Sequence, residues 1–263
     1  MSKADAQLVP SVMVFSDLDG SLLDHETYSF AAAQPALARL AAQAIPVVPV
    51  TSKTLAEVTP LMQELGLSGA AIAENGAVIR HSDGAIECPC GLDVVHAALQ
   101  ALPSPLRAAI KCFGDMDVSE IEMLTGLPTE AAARAAQRQA SEPFLWRGAG
   151  NTPPPEVASH FNAHGLTITQ GGRFFHIVPP RDKAAAMVAL LEGFATRPKS
   201  WALGDGPNDT AMLLAADRGA LIANPHSDAA HALPPTHELY ICAHAGPTGW
   251  REAIDVFLAE EFG

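Results

Sequence analysis

The chain predicts an α/β fold: a parallel-sheet core with an α+β module inserted into it. Two observations carry this. First, short apolar runs end in residues that can do chemistry. Val12–Ser16 leads into Asp17, Asp19 and Gly20; Val47-Val-Pro-Val50 leads into Thr51, Ser52 and Lys53; Trp201–Gly204 leads into Asp205, Asn208 and Asp209. Strands buried on both faces read as near-continuous apolar runs, and ligands of parallel α/β sheets bind at the carboxyl ends of the strands. Second, the strand patterns in the middle of the chain are joined through tight turns, which implies antiparallel pairing and a separate unit.

The elements follow in order. The first ten residues read as a short polar arm. The run from Val12 forms the first strand, and Gly20 lets the chain turn sharply as it leaves. Asp17 and Asp19 repel each other unless a cation or a shared proton relieves them, so their crowding marks a site. Thr54 and Glu57 have capping-box spacing, Gly66 supplies a helix stop, and Pro60 predicts a kink or short break between them. Residues 70–79 read as strand, Asn75-Gly76 turn and strand.

The middle segment differs in character. Ser119 and Glu122 open one helix with capping-box spacing, and Thr129 caps an alanine-rich helix running to about Ala140. Pro153-Pro-Pro155 sets up a helix start. Leu166–Gln170 and Arg173–Val178 read as strands joined through Gly171-Gly172. The alternation of strand and helix resumes after Pro179-Pro180. A helix starts near Lys183 and ends before Pro198, a strand enters Gly204-Asp205, and a helix follows Asn208. Ala220–Ala223 is a further strand, and the last helix starts near Thr248. The expected division is therefore a discontinuous core, 1–82 with 179–263, and an inserted module, 83–178.

Composition narrows the function. The 263 residues are 48% hydrophobic and 17% charged, as a globular fold requires. A net charge of −13 opposes a broad nucleic-acid surface, and any anion site must be locally basic or metal-assisted. Cys88, Cys90, Cys112 and Cys242 include a CxC pair but no metal cage, and read as unpaired buried thiols in a reducing compartment. No signal-peptide pattern and no membrane-length apolar run occur, so the expected location is cytoplasmic, with no membrane partner.

Taken together, Asp17-Leu-Asp19-Gly20, Thr51, Lys183 and Gly204-Asp205-Gly-Pro-Asn208-Asp209 resemble the four ordered motifs of the haloacid dehalogenase superfamily of phosphatases. The combination is highly specific, although each motif alone also reads as a turn, a helix cap or a surface residue. The resemblance implies a Rossmann-like core with a cap inserted between the second and third motifs, as in Cof-like sugar phosphatases, which also share Glu74-Asn75-Gly76. Within the cap, Phe113-Gly-Asp-Met, Leu124-Thr-Gly-Leu-Pro, Gln137-Arg-Gln, Ser141-Glu-Pro and Gly171-Gly-Arg-Phe-Phe-His resemble mannosyl-3-phosphoglycerate phosphatases. Thr51-Ser-Lys-Thr resembles their second motif.

The resemblance assigns roles residue by residue. Asp17 is the implied nucleophile and Asp19 the implied acid and base. Thr51 and Lys183 face the transferring phosphoryl group, and Asn208 contacts phosphate or Lys183. The hard oxygen ligands suit Mg²⁺, held by Asp17, the backbone carbonyl of Asp19 and Asp205, with Asp209 holding a bound water or orienting its neighbours. Ser52 joins Thr51 as a substrate contact. Lys53 stands where relatives carry an arginine, in a structural or substrate-facing role. In the cap, Arg173 is placed to clamp a carboxylate, with Gly171 and Gly172 allowing close approach. Arg138 and Glu142 are candidates for sugar contacts, while His176 reads as structural. The implied reaction converts mannosyl-3-phosphoglycerate to mannosylglycerate and phosphate. Glucosyl-3-phosphoglycerate or another sugar phosphate is the alternative substrate. A phosphomutase or phosphotransferase is the alternative reaction. A non-catalytic binding module is disfavoured because both Asp17 and Asp19 are present.

Overall fold

The computed structural model describes residues 9–171, 174–225 and 239–263; Gly171 is described as backbone only. Strand β1 (Val12–Ser16) is buried throughout. Along the chain follow α1 (Gln34–Ala42), β2 (Val47–Pro49), α2 (Leu55–Glu64), β3 (Ala71–Ala73), β4 (Val78–Arg80) and β5 (Ile86–Glu87). The middle of the chain holds α3 (Leu92–Ala101), α4 (Ser104–Ala108), β6 (Ile110–Cys112), α5 (Val118–Thr125), α6 (Thr129–Ala135), β7 (Glu142–Trp146), α7 (Pro155–Ala163), β8 (Thr167–Gly171) and β9 (Phe174–Val178). The chain closes with α8 (Lys183–Glu192), β10 (Lys199–Gly204), α9 (Thr210–Ala215), β11 (Arg218–Ala223), β12 (Tyr240–Ala245) and α10 (Gly246–Phe262).

The central sheet is parallel, in the order β12-β11-β10-β1-β2. Both faces are covered, which explains the unbroken apolar strands. Val12 and Val14 pack with Leu37, Leu40, Trp250 and Phe257 on one face, while Met13 and Phe15 pack with Met187, Leu190 and Leu213 on the other. Pro49, which has no N–H to donate, is tolerated because β2 is the edge strand. From β1 the chain moves outward to β2 and later returns to β10 on the opposite side. That reversal of strand order opens a crevice at the carboxyl ends of β1 and β10.

Two antiparallel sheets lie between the halves of the parallel one in sequence: β3-β4-β5 and β6-β7-β9-β8. In the second sheet, Phe144, Phe175 and Ile177 pack against Val95 and Leu99 of α3 and Val157 and Phe161 of α7. Among the described residues, no helix is long and apolar enough to cross a membrane.

Several local expectations shift. Helix α2 runs through Pro60 without a break. Helix α5 is capped by Asp117 with Glu120, two residues ahead of the Ser119–Glu122 box. Thr129 is the first residue of α6, not its cap, and α6 stops at Ala135. The cause of that early stop is tertiary. The N–H groups of Gln139, Ala140 and Ser141 donate to the Glu74 carboxylate, at 2.7, 3.1 and 2.8 Å, and are withdrawn from any helical ladder. The β8–β9 ladder runs to Gly171 opposite Phe174, so Gly171 belongs to the strand; Gly172, the other residue of the expected turn, lies outside the described residues. Helix α10 starts at Gly246 rather than near Thr248. Cys112 and Cys242 are buried, but Cys88 and Cys90 are only half-buried.

Candidate active site

The site is built from four turns at the carboxyl end of the parallel sheet. Asp17 leaves β1 with its N–H still bonded to the Leu203 carbonyl of β10, at 2.9 Å. The next residues close a tight loop, with Gly20 donating to Leu23 and Leu22 donating to Asp17. Leu18, Leu22 and Leu23 are thereby buried beneath it. Gly20 is required twice over. Its φ is +83°, and a Cβ there would lie 2.6 Å from Asp205 Oδ2. Asp205 leaves β10, and its carboxylate accepts from Ser21 Oγ at 2.7 Å and Asn224 Nδ2 at 2.5 Å. Asp209 folds back so that Oδ2 accepts from the Asp205 and Gly206 N–H groups.

Lys183 is the first residue of α8, capped by Asp182, whose carboxylate accepts from the Ala185 N–H. Its buried ammonium donates to Asp17 Oδ1 and Asp209 Oδ1, each at 2.6 Å. Gly76 sets this helix start against the β3–β4 turn. A Cβ on Gly76 would fall 2.2 Å from the Asp182 carbonyl oxygen, so no other residue allows that approach.

The electrostatics point to a missing positive charge. Burial, reinforced by Asp209 and Asp205 against the opposing pull of Lys183, pushes the Asp17 carboxyl well above its ordinary range. Burial likewise raises Asp205, with Asp209 adding to it and Ser21 and Asn224 opposing. Burial would lower Lys183, but Asp17 and Asp209 outweigh it and hold the ammonium charged. Asp17, Asp205 and Asp209 offer carboxylate oxygens within 4.8 Å of one another. Three carboxylates facing one ammonium leave two negative charges in excess, and an all-oxygen donor set with that excess fits a hard divalent cation. The Asp19 side chain lies outside this group. Its Oδ2 is 2.8 Å from Lys53 Nζ.

The second-motif loop is fixed from both sides. Thr51 is buried, its N–H donates to Ile72, and its carbonyl accepts from Asn75 N–H. Thr51 Oγ1 accepts from Lys53 N–H, and the Ser52 carbonyl accepts from Arg138 Nη2 at 3.2 Å. Asn208 donates to Asn75 Oδ1 at 3.4 Å, not to Lys183.

The cap candidates fare differently. Arg138 is held by Ser52, by Ser141 Oγ at 2.7 Å and by Glu74 at 3.6 Å, so it braces the second-motif loop. Glu142 is paired in register with Ile177, on the face of the sheet that packs against α3. Its buried carboxylate lies 3.3 Å from His96 Nε2 of α3 and accepts from Gly114 N–H at 3.0 Å, an arrangement that gives it a structural function instead of a sugar contact. His176 alternates with Phe175 and Ile177 and therefore lies on the opposite face from them. Its Nδ1 is buried without a hydrogen-bond partner among the described residues. Burial, with Arg138 adding, lowers the imidazole to about 4. Gly172 and Arg173 lie outside the described residues. Glu74, Ser21 and Asn224 were not singled out for these contacts by the sequence. Ser21, directly after the Asp-x-Asp-Gly turn, and Glu74, within the Glu74-Asn75-Gly76 element, each carried a local signal.

Three comparisons bear on this site. Residues 14–103 match a family model described as haloacid dehalogenase-like hydrolase. A protein from Persephonella marina named glucosyl-3-phosphoglycerate/mannosyl-3-phosphoglycerate phosphatase is 34% identical, over 92% of this chain and 96% of its own. Among solved structures, a haloalkanoate superfamily phosphatase from Bacteroides thetaiotaomicron has a TM-score of 0.69 at 19% identity, covering 96% of this chain and 98% of that one. The sucrose-phosphatase of Synechocystis sp. PCC6803, solved with sucrose and phosphate, has a TM-score of 0.66 at 16% identity, covering 95% and 98%. These structures share the fold, and the near-full-length identity to the Persephonella protein supplies the rest: this chain belongs to the haloacid dehalogenase-like hydrolase family and is a phosphoric monoester hydrolase.

Proposed function

We propose that the enzyme hydrolyses a glycosyl-3-phosphoglycerate, mannosyl or glucosyl, releasing phosphate and the glycosylglycerate through a phosphoryl group carried on Asp17. The observation that carries the reading is the buried Asp17 carboxylate at the end of β1, paired with Lys183 inside a cluster of acids. In the first step an Asp17 oxygen bonds to phosphorus, the bond from phosphorus to the leaving oxygen breaks, and that oxygen takes a proton from Asp19. In the second, a water oxygen attacks phosphorus, its proton passes to Asp19, and the acyl-phosphate bond breaks to restore Asp17. Lys183 and Thr51 offset the charge of the transferring group, with Ser52 and Asn208 beside them.

Asp17, Asp205 and Asp209, with the Asp19 backbone carbonyl, would hold Mg²⁺. Bound there, the ion cancels the excess negative charge and draws a phosphate into an otherwise repulsive site. Segment 83–178 serves as the cap over the core formed by 1–82 and 179–263. In the cap, Arg173 clamps the glycerate carboxylate where Gly171 and Gly172 leave room.

The test is phosphate release from mannosyl-3-phosphoglycerate, glucosyl-3-phosphoglycerate and hexose phosphates, with Mg²⁺ and after its chelation. Highest kcat/KM on a glycosyl-phosphoglycerate, lost on chelation, supports the reading. Preference for a hexose phosphate, or phosphate transfer to a sugar hydroxyl, contradicts it. Arg173→Ala is expected to lower kcat/KM for the phosphoglycerate far more than for a small phosphate ester.

A further inference from the structure

Lys53 is held at both of its backbone groups. Its N–H donates to Thr51 Oγ1 at 3.2 Å, and its carbonyl accepts from the Glu74 N–H at 3.0 Å. With the backbone fixed, the side chain reaches across to the loop after β1 and places Nζ 2.8 Å from Asp19 Oδ2. The Tyr28 ring covers that ammonium, with its centroid 5.3 Å away. Tyr28 is itself presented by a loop closed on Asp24. Tyr28 N–H donates to the Asp24 carbonyl, and Thr27 donates to the Asp24 carboxylate through both N–H and Oγ1. The loop imposes a φ of +58° on Tyr28, a left-handed conformation that a bulky residue rarely adopts.

The two oxygens of Asp19 are not equivalent. Oδ2 is held by Lys53, whereas Oδ1 is buried without a hydrogen-bond partner among the described residues. Lys53 is only 18% exposed and Asp19 32%, so this is not a solvated surface pair whose geometry drifts. We propose that Lys53, covered by Tyr28, is a positioning residue that locks Asp19 through Oδ2 and turns Oδ1 toward the oxygen of the departing alcohol. The inference rests on the assignment of Asp19 as acid and base made above, and assigns new functions to Lys53 and Tyr28 within it.

Leaving-group dependence provides the test. A sugar-glycerate alcohol must receive a proton as it departs, whereas p-nitrophenolate leaves without one. Single-turnover release of the leaving group is measured for a glycosyl-phosphoglycerate, for glycerol 2-phosphate and for p-nitrophenyl phosphate, at saturating Mg²⁺. The enzymes are the parent, Lys53→Met, Lys53→Arg, Tyr28→Leu, Tyr28→Phe and Asp19→Asn. Lys53→Met is expected to slow both alkyl esters roughly a hundredfold, and the aryl ester at least about tenfold less. Lys53→Arg should restore most of the alkyl rate. Tyr28→Leu should show a weaker form of the same pattern, and Tyr28→Phe, which keeps the ring, should not. Equal losses on alkyl and aryl esters would overturn the proposal, because Lys53 would then merely support the phosphoryl-binding loop. A loss confined to the ester bearing a carboxylate would overturn it too, making Lys53 a substrate contact. Asp19→Asn separates the two levels of the argument. If it shows the leaving-group dependence and Lys53→Met does not, only the positioning inference fails. If it shows none, the acid and base assignment fails and takes the inference with it.

Discussion

Replacing Glu74 by alanine tests how the 138–141 segment is held against the β3–β4 turn. The Glu74 carboxylate is buried and accepts four hydrogen bonds: from the N–H groups of Gln139, Ala140 and Ser141, and from Ser141 Oγ at 2.6 Å. Gln139 is exposed, so its N–H turns to water in the variant. The other three donors are buried. Leaving a buried donor unsatisfied costs about 1–3 kcal/mol, so three of them give an expected loss of roughly 3–6 kcal/mol after some relaxation. For a chain of this size that is a fall in Tm of roughly 6–12 °C. Glu74→Gln keeps one acceptor oxygen. Placed at the Oε2 position it still serves the three buried donors, and the expected cost falls to about 1–2 kcal/mol. Urea denaturation followed by circular dichroism gives both values. The same variants should lower kcat, because the segment that the Glu74 carboxylate anchors carries Arg138, whose guanidinium holds the Ser52 carbonyl of the second-motif loop. An alanine variant within about 1 kcal/mol of the parent would refute the reasoning, since the buried amides would then have other partners.

Asp17→Asn should reduce turnover to below roughly a thousandth of the parent while leaving the fold intact, because an amide cannot serve as the anionic nucleophile. Near-parent phosphate release from the folded variant contradicts the assignment. Gly20→Ala should lower Tm and weaken stabilisation by Mg²⁺ in a thermal-shift titration, because its Cβ would press on Asp205 Oδ2 at 2.6 Å. An unchanged Mg²⁺ midpoint would show that Asp205 is not a ligand. Glu252 links α10 to β12. Burial pushes its carboxyl up, but the Ala243 N–H, His244 and the Tyr240 O–H outweigh that and hold it at about 2, below the ordinary value of 4.5. A depressed carboxyl contributes stability that is complete above the unfolded value and is lost as pH falls through the folded one. Glu252→Gln should therefore lower Tm by roughly 3–6 °C at neutral pH, with the gap closing as pH falls toward 2. A gap that persists at the acid end would mean the carboxylate charge is not what matters.

Local sequence was sufficient wherever chemistry sits at the end of a buried run. The apolar strands before Asp17, Thr51 and Asp205 are fully covered on both faces, so their pattern admits little else, and the polar residues that follow emerge at the same edge of the sheet. The Asn75-Gly76 turn was legible for a similar reason, since few residues accept positive φ, and Asn75 and Gly76 have φ of 58° and 103°. The cap of α5 was not legible. Asp117–Glu120 and Ser119–Glu122 both satisfy the box spacing, and local propensity does not choose between them. Glu142 was misread because alternation along a strand does not say which face is packed. Pairing with Ile177, beneath α3, decides it. The alanine-rich stretch after Thr129 favours continued helix, yet Glu74, at least 65 residues earlier, takes the amides that a longer helix would need. Lys183 likewise reaches Asp17 across 166 residues. Motif spacing named Asp17, Lys183, Asp205 and Asp209, which the fold gathers, because spacing is a property of the chain. The partner of each group, and so its charge state and orientation, was decided by tertiary structure, because hydrogen bonds and desolvation depend on distance in space.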